Sequence, residues 1–137
     1  MNKVLKLTDE YDYSAKDVAA IHYGYCLTFG QVTYTTAIAI KKEQKVDNIL
    51  LMVGNDNPIF YWCHVKEQET FGKGNKAIQE DFDKYSPTIF KGQANTTWFV
   101  FDKMELISND LITVLCKNSD LFSELFEKER LNHKNML

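Results

Sequence analysis

Apolar and polar positions fall into a few sharply bounded stretches, and the sharpest lies at residues 48–66. Ile49-Leu50-Leu51-Met52-Val53 is a continuous apolar run, and Gly54-Asn55-Asp56-Asn57-Pro58 is dense in turn-forming residues. Ile59-Phe60-Tyr61-Trp62-Cys63-His64-Val65 follows as a second apolar run, rich in aromatic and β-branched side chains. Two such runs about a Gly/Asn/Pro turn predict a β-hairpin. Alternation puts Phe60, Trp62 and His64 on one face of its second strand and Ile59, Tyr61, Cys63 and Val65 on the other. Neither face is plainly polar, which predicts a central strand covered on both sides.

Weaker signals flank the hairpin. Residues 3–7 (Lys-Val-Leu-Lys-Leu) predict a short first strand, and Thr8 to Tyr13 a polar, acidic turn. Ser14 before Ala15-Lys16-Asp17-Val18-Ala19-Ala20-Ile21 predicts a short helix capped by the serine hydroxyl and limited by Gly24. Tyr25 to Ile40 is β-branched and aromatic, which predicts strand, with Gly30-Gln31 as a hairpin turn inside it. Lys41, Lys42 and Lys45 about Glu43 form an exposed basic turn. Residues 66–97 read as a long polar loop, with a helical stripe at Ala77, Ile78, Asp81, Phe82 and Tyr85. Trp98 to Phe101 and Leu111 to Cys116 read as strands. Asp120 to Leu131 reads as a helix with Leu121, Phe122, Leu125 and Phe126 on one stripe and basic residues towards its end. The expected class is α+β, a small bent β-barrel with flanking helices.

Composition narrows the function classes. At 137 residues one domain, 1–137, is expected. A hydrophobic fraction of 45% with 26% charged residues excludes disorder for the chain as a whole. No apolar run approaches the ~20 residues that span a bilayer, and Met1-Asn2-Lys3-Val4-Leu5-Lys6 turns charged too soon for a signal peptide. The expectation is a soluble, cytoplasmic protein without a membrane partner. Aromatics at 13% against 2 prolines favour strands. A net charge of −3 argues against a generic basic nucleic-acid coat, though not against a local basic patch. Cys26, Cys63 and Cys116 match neither a disulfide framework nor a zinc pattern and read as buried thiols, so no metal or cofactor is expected.

No P-loop, dinucleotide fingerprint, nucleophile elbow or deaminase signature occurs. Cys63 and His64 are neighbours on a strand and point to opposite faces, and His22 with Cys26 supplies only two ligands. A non-enzymatic protein is expected, with a small-ligand or hydrolytic barrel built on His64 or His22 as a third reading. Aromatics in loops, Tyr11, Tyr13 and Phe71, invite a different chemistry, because a ring stacks on a flat heterocycle for about 1–3 kcal/mol. Lys41, Lys42, Lys66, Lys73 and Lys76 are the candidates for phosphate contact. Phe71-Gly72-Lys73-Gly74-Asn75-Lys76 combines lysines with glycines that let backbone approach phosphate. Asn55, Asn57, Asn75 and Asn95 are candidates for contacts to a base edge. The loop aromatics suit a protein interface equally, so a protein–protein adaptor is the alternative.

The order of these pieces resembles the PUA-like superfamily, in its EVE and YTH-type branch. The likeness lies in Asn48 to Lys66, similar to the central hairpin of those domains, and in Tyr85-Ser86-Pro87 and Trp98-Phe99-Val100-Phe101, similar to their loop-and-strand return. About residues 3–115 are covered by the shared strand order. The resemblance implies a small bent barrel that flips one modified base of nucleic acid into an aromatic pocket. Its walls would come from the segment after the first strand and the loop after the central hairpin. Those places hold Tyr11, Tyr13 or Tyr25, and Phe71. The chain is also similar to the DNA-recognition modules of modification-dependent restriction systems. That implies DNA in preference to RNA, with a motor or nuclease on another segment or subunit.

Overall fold

The computed structural model describes residues 1–9, 12–55, 57–72, 75–108 and 110–111. The helix expected over 120–131, the expected strand 111–116 beyond its first residue, and Tyr11, Lys73 and Cys116 lie outside the described residues.

The hairpin is present as read. Strand β3 (Asn48–Val53) pairs antiparallel with β4 (Ile59–Thr70), Val53 opposite Ile59 and Asn48 opposite His64. Gly54 at φ +92° and Asn57 at φ +49° supply the left-handed backbone that the turn between them needs. On one side of the pair, β1 (Asn2–Leu7) lies parallel to β3. On the other, β5 (Thr97–Ile107) is antiparallel to β4, and β2 (Val32–Thr36) is antiparallel to β5. The order β1-β3-β4-β5-β2 puts β4 at the centre. The result is a curled five-stranded mixed sheet, half of a barrel, with one main helix packed against it.

Two register shifts between β4 and β5, at His64/Val65 and Val65/Glu67, bend the long strands. The inner face carries Leu5, Leu7, Ile49, Leu51, Val53, Tyr61, Cys63, Val65, Phe99 and Phe101. The outer face carries a smaller cluster of Val4, Leu50, Met52 and Phe60 beside Trp62. Period-two alternation therefore divides β4 as its sequence implies, except that His64 emerges exposed, so the second face is covered only in part. The strand also runs past Val65 to Thr70, through residues assigned above to the loop. Lys66 and Glu67 there are exposed, so their polarity marks one solvated stretch of a paired strand and not the end of pairing.

Helix α1 (Ala15–Phe29) departs most from expectation. Ser14 caps it as read, its Oγ accepting from Asp17 N at 3.1 Å, and Asp9 Oδ1 accepts from Ala15 N at 2.7 Å. It does not stop at Gly24. Ala15, Val18, Ala19, His22 and Cys26 form one buried stripe that continues through the exposed glycine, and packing on β2, β3 and β5 outweighs the local penalty. Gly30, expected to turn a hairpin, ends the helix instead at φ +80°, its N–H bonded to Cys26 O at 2.9 Å. Only Val32–Thr36 of the expected strand from Tyr25 to Ile40 is strand.

The segment between β4 and β5 holds a short helix, α2 (Glu80–Asp83), and a single 3₁₀ turn at Thr88–Phe90. It covers the outer edge of β2: Thr33 N donates to Tyr85 O at 3.1 Å and Thr33 Oγ1 donates to Phe82 O. No described helix is long and apolar enough to cross a membrane.

The two helix glycines have opposite expected effects. A Cβ at Gly24 or Gly30 meets nothing within 4 Å, so backbone conformation alone decides each outcome. Gly24→Ala should stabilise by about 0.5–1 kcal/mol, because alanine loses less entropy in a helix interior. Gly30→Ala should destabilise by about 1–2 kcal/mol, because its φ is left-handed. Urea unfolding midpoints of the two variants measure both, and a rise for Gly30→Ala would contradict the cap.

Candidate functional site

A cavity of about 240 Å³ opens where the curled sheet meets the turn before α1 and the 86–95 loop. Its wall takes Tyr13 from that turn, His22 from α1, Thr33, Tyr34 and Thr35 from β2, Phe90 and Asn95 from the loop, and Trp98 from the start of β5. Each is placed by its element. The helical stripe turns His22 inward, and the pairing of β2 with β5 sets Thr35 opposite Trp98. Tyr25, on the next turn of α1, pins the loop: its hydroxyl donates to Thr88 Oγ1 at 3.1 Å and accepts from Thr88 N at 3.2 Å.

The rings form one connected set. Phe90 stacks on His22 with centroids 5.3 Å apart and planes at 14°, and Tyr13 meets Phe90 edge-on at 5.6 Å. His22 meets Tyr34 edge-on at 5.5 Å, and Tyr34 stacks on Phe101 at 5.5 Å. Trp98 is sealed against the core at 1% exposure, while Tyr13 keeps 39%. One side of the cavity is therefore fixed and the other, at Tyr13, faces solvent.

Polar groups are interleaved with the rings and mostly committed. Asn95 donates from Nδ2 to Thr35 Oγ1 at 3.0 Å, and its Oδ1 accepts from Thr96 N at 3.0 Å. Its backbone exchanges two hydrogen bonds with Ala77, and its carbonyl also accepts from Trp98 Nε1 at 3.2 Å. His22 Nδ1 lies 2.7 Å from Val18 O, a group that can only accept, so Nδ1 carries the proton. Burial holds the His22 pKa below its usual value, against an opposing pull from the Val18 carbonyl. Among the described residues Asp12 is the one charged residue on the lining, and no lysine or arginine contributes to it.

Of the residues singled out from sequence, Tyr13 lines the cavity. Tyr25 does not; it fastens the loop that carries Phe90. Phe71 packs with Phe82, Trp98 and Tyr85 in a separate cluster and is no part of the wall. The loop after the hairpin does contribute an aromatic wall, but through Phe90, which sequence reading missed. Its only signal is its place after Pro87 in a short segment with no strand partner. Among the asparagines, Asn95 alone lines this cavity. The lysines are dispersed. Lys42 pairs with Glu69 at 3.1 Å, and Lys66 donates to Gln31 Oε1 at 3.3 Å. Lys41 is exposed in its turn, and Lys76 is exposed beside Ala77, which bridges to Asn95.

The other candidate chemistry is scattered. His64 Nδ1 lies 2.6 Å from Asp102 Oδ1 in an exposed pair away from the cavity lining. Cys26 and Cys63 are buried free thiols, and burial raises the pKa of both. Among the described residues no group of three or more His, Cys, Asp or Glu side chains could hold a metal ion.

Neutral burial of His22 carries a pH signature. With its folded pKa below the unfolded 6.5, the unfolded chain binds more protons as pH drops through that region. Stability should therefore fall with acidification below about pH 6.5, by at most ~1.4 kcal/mol per pH unit from this group. Subtracting the pH–stability curve of His22→Phe from that of the parent isolates the contribution; identical slopes would show that His22 titrates normally. No protein-family model matches the chain, and no curated protein or solved structure matches it.

Proposed function

We propose that this chain is a PUA-like, EVE/YTH-type reader that takes one modified base of DNA, flipped from its stack, into the aromatic cavity. The observation that carries the reading is the cavity's position and lining. Tyr13 comes from the segment after the first strand and Phe90 from the loop after the central hairpin, the two places where the resemblance puts the walls of a base pocket. At about 240 Å³ the space is smaller than the roughly 300–1,000 Å³ of pockets for drug-sized ligands, which suits a single flat ring. Among the described residues the lining has no cation, which suits an uncharged base and leaves phosphates to the exposed lysines outside. Flipping costs a few kcal/mol, and stacking on the rings together with edge hydrogen bonds offsets it. A motor or nuclease that acts on the recognised DNA would then reside on another segment or subunit.

A second reading, a protein-interaction module, has its own observation. Leu27 is 67% exposed and Leu106 57%, and they border a groove between α1 and the end of β5 that also takes in Tyr23, Cys26 and Met104.

Fluorescence-anisotropy titration against matched DNA and RNA oligonucleotides, plain and methylated, at two salt concentrations separates the two. Base reading predicts salt-sensitive binding with a preference for one modified DNA. Tyr13→Ala and Phe90→Ala should each weaken it by about ten- to a hundredfold, whereas Leu27→Ala should leave it unchanged. Equal affinity for modified and plain oligonucleotides would remove the reader proposal, and salt-insensitive co-purification of a protein lost in Leu27→Ala would favour the second reading.

A further inference from the structure

Resting on the base-reading proposal, we infer that His22 selects the base, accepting a hydrogen bond at Nε2 from a ring that presents an amino N–H on the edge entering the cavity. The inference follows from which groups on the wall are already spent. Nδ1 of His22 is tied to Val18 O, so a neutral imidazole offers only an acceptor at Nε2. Among the described residues Nε2 has no hydrogen-bond partner, and the side chain is only 6% exposed on a cavity wall.

Several neighbouring groups lean the same way. Thr33 gives its hydroxyl proton to Phe82 O and can only accept from a ligand. Trp98 gives its indole N–H to Asn95 O, away from any ligand. Asn95 is the exception: it spends Oδ1 on Thr96 N and one Nδ2 proton on Thr35, and keeps its second Nδ2 proton to donate. Asp12 adds a carboxylate at the lining and no donor. The hydroxyls of Tyr13, Thr35 and Ser86 can rotate and serve in either sense, and Gln93 carries both an amide donor and an acceptor, so these do not discriminate. Where His22 and Thr33 meet the cavity the wall thus offers acceptors. An amino group satisfies them, whereas a carbonyl oxygen at the same place faces His22 Nε2 and Thr33 Oγ1 lone pair to lone pair. Burial, which keeps His22 neutral, keeps the acceptor in place at neutral pH.

Isosteric pairs that exchange NH₂ for C=O test this directly. The probes are DNA duplexes carrying one deoxycytidine or deoxyuridine, one 5-methyldeoxycytidine or thymidine, and one deoxyadenosine or deoxyinosine. Each stands opposite an abasic site, so that unpairing costs do not differ. Wild-type protein should bind the amino member of the best-bound pair about tenfold or more tightly than its keto partner. His22→Phe keeps a ring against Phe90 but has no acceptor, so the preference should fall to within about twofold while keto-base affinity is retained. His22→Gln, whose amide oxygen reaches a similar point, should restore it. Retained keto-base binding also reports that His22→Phe is folded. An unchanged preference in His22→Phe, or a wild-type preference for the keto member, overturns the role of His22 and leaves base reading standing. Failure of wild type to bind any of the six duplexes overturns both.

Discussion

The long pairing of β4 with β5 carries the rest of the structure. Thr70 stands opposite Thr97 at one end and Phe60 opposite Ile107 at the other, and the two register shifts between them turn a flat ribbon into a bent one. The bend lets the two strands serve different neighbours along their length. Ile59 to His64 of β4 lies against β3, whereas only Thr97 to Phe101 of β5 lies against β2. Helix α1, packed on β2, β3 and β5, spans both halves. The recess lies where the β2-paired half of this bent ribbon meets the helix and the loop.

Curling a sheet about polar residues creates a satisfaction problem, and its solution is what makes the recess stiff. Thr33, Thr96 and Thr97 are all buried. Thr33 bonds the α2 segment, Thr96 Oγ1 donates to Asn75 O at 3.1 Å, and Thr97 Oγ1 donates to Ile38 O at 2.7 Å. Each bond that meets a buried hydroxyl's need also ties a loop to the β2–β5 pair. With Tyr25 holding Thr88, the loop that presents Phe90 is anchored at two elements. A ring entering such a site finds walls already in position and loses less affinity to ordering them.

Legibility from sequence followed the range of the interactions. The hairpin at 48–66 and the Ser14 cap were readable because their causes lie within a few residues, in turn chemistry and in one hydroxyl. The reach of α1 was not, because Gly24 is a local argument for stopping and the counterweight, the burial of His22 and Cys26 on the sheet, is tertiary. Likewise the polarity of Lys66 to Glu69 reads as loop until β5 is known to pair with it. The site divided in the same way. Tyr13 was readable as an aromatic with no strand to explain it. Phe71 looked equivalent and was not, since Trp98 and Phe82 give it an apolar partner from distant sequence. Phe90 could be told from Phe71 only by knowing that Tyr25, 63 residues from its partner Thr88, draws that turn to the helix.

Charge and aromaticity are kept apart on this molecule, and that separation constrains any nucleic-acid role. Among the described residues the cavity lining holds one carboxylate and no cation, while exposed lysines sit elsewhere and several are engaged, Lys42 with Glu69, Lys103 with Glu105, and Lys84 over the ring of Tyr85. Phosphate neutralisation, which dominates sequence-independent affinity, is thus weak for a chain of net charge −3. Weak background attachment is an advantage to a protein that must distinguish one base among many, because selectivity is the ratio of specific to non-specific binding and not the affinity itself. For a base reader of this kind, the discriminating energy would come from inside the recess, from ring stacking and from the few polar atoms on the wall that the protein has not already used. His22 Nε2, on a side chain only 6% exposed, is one of these.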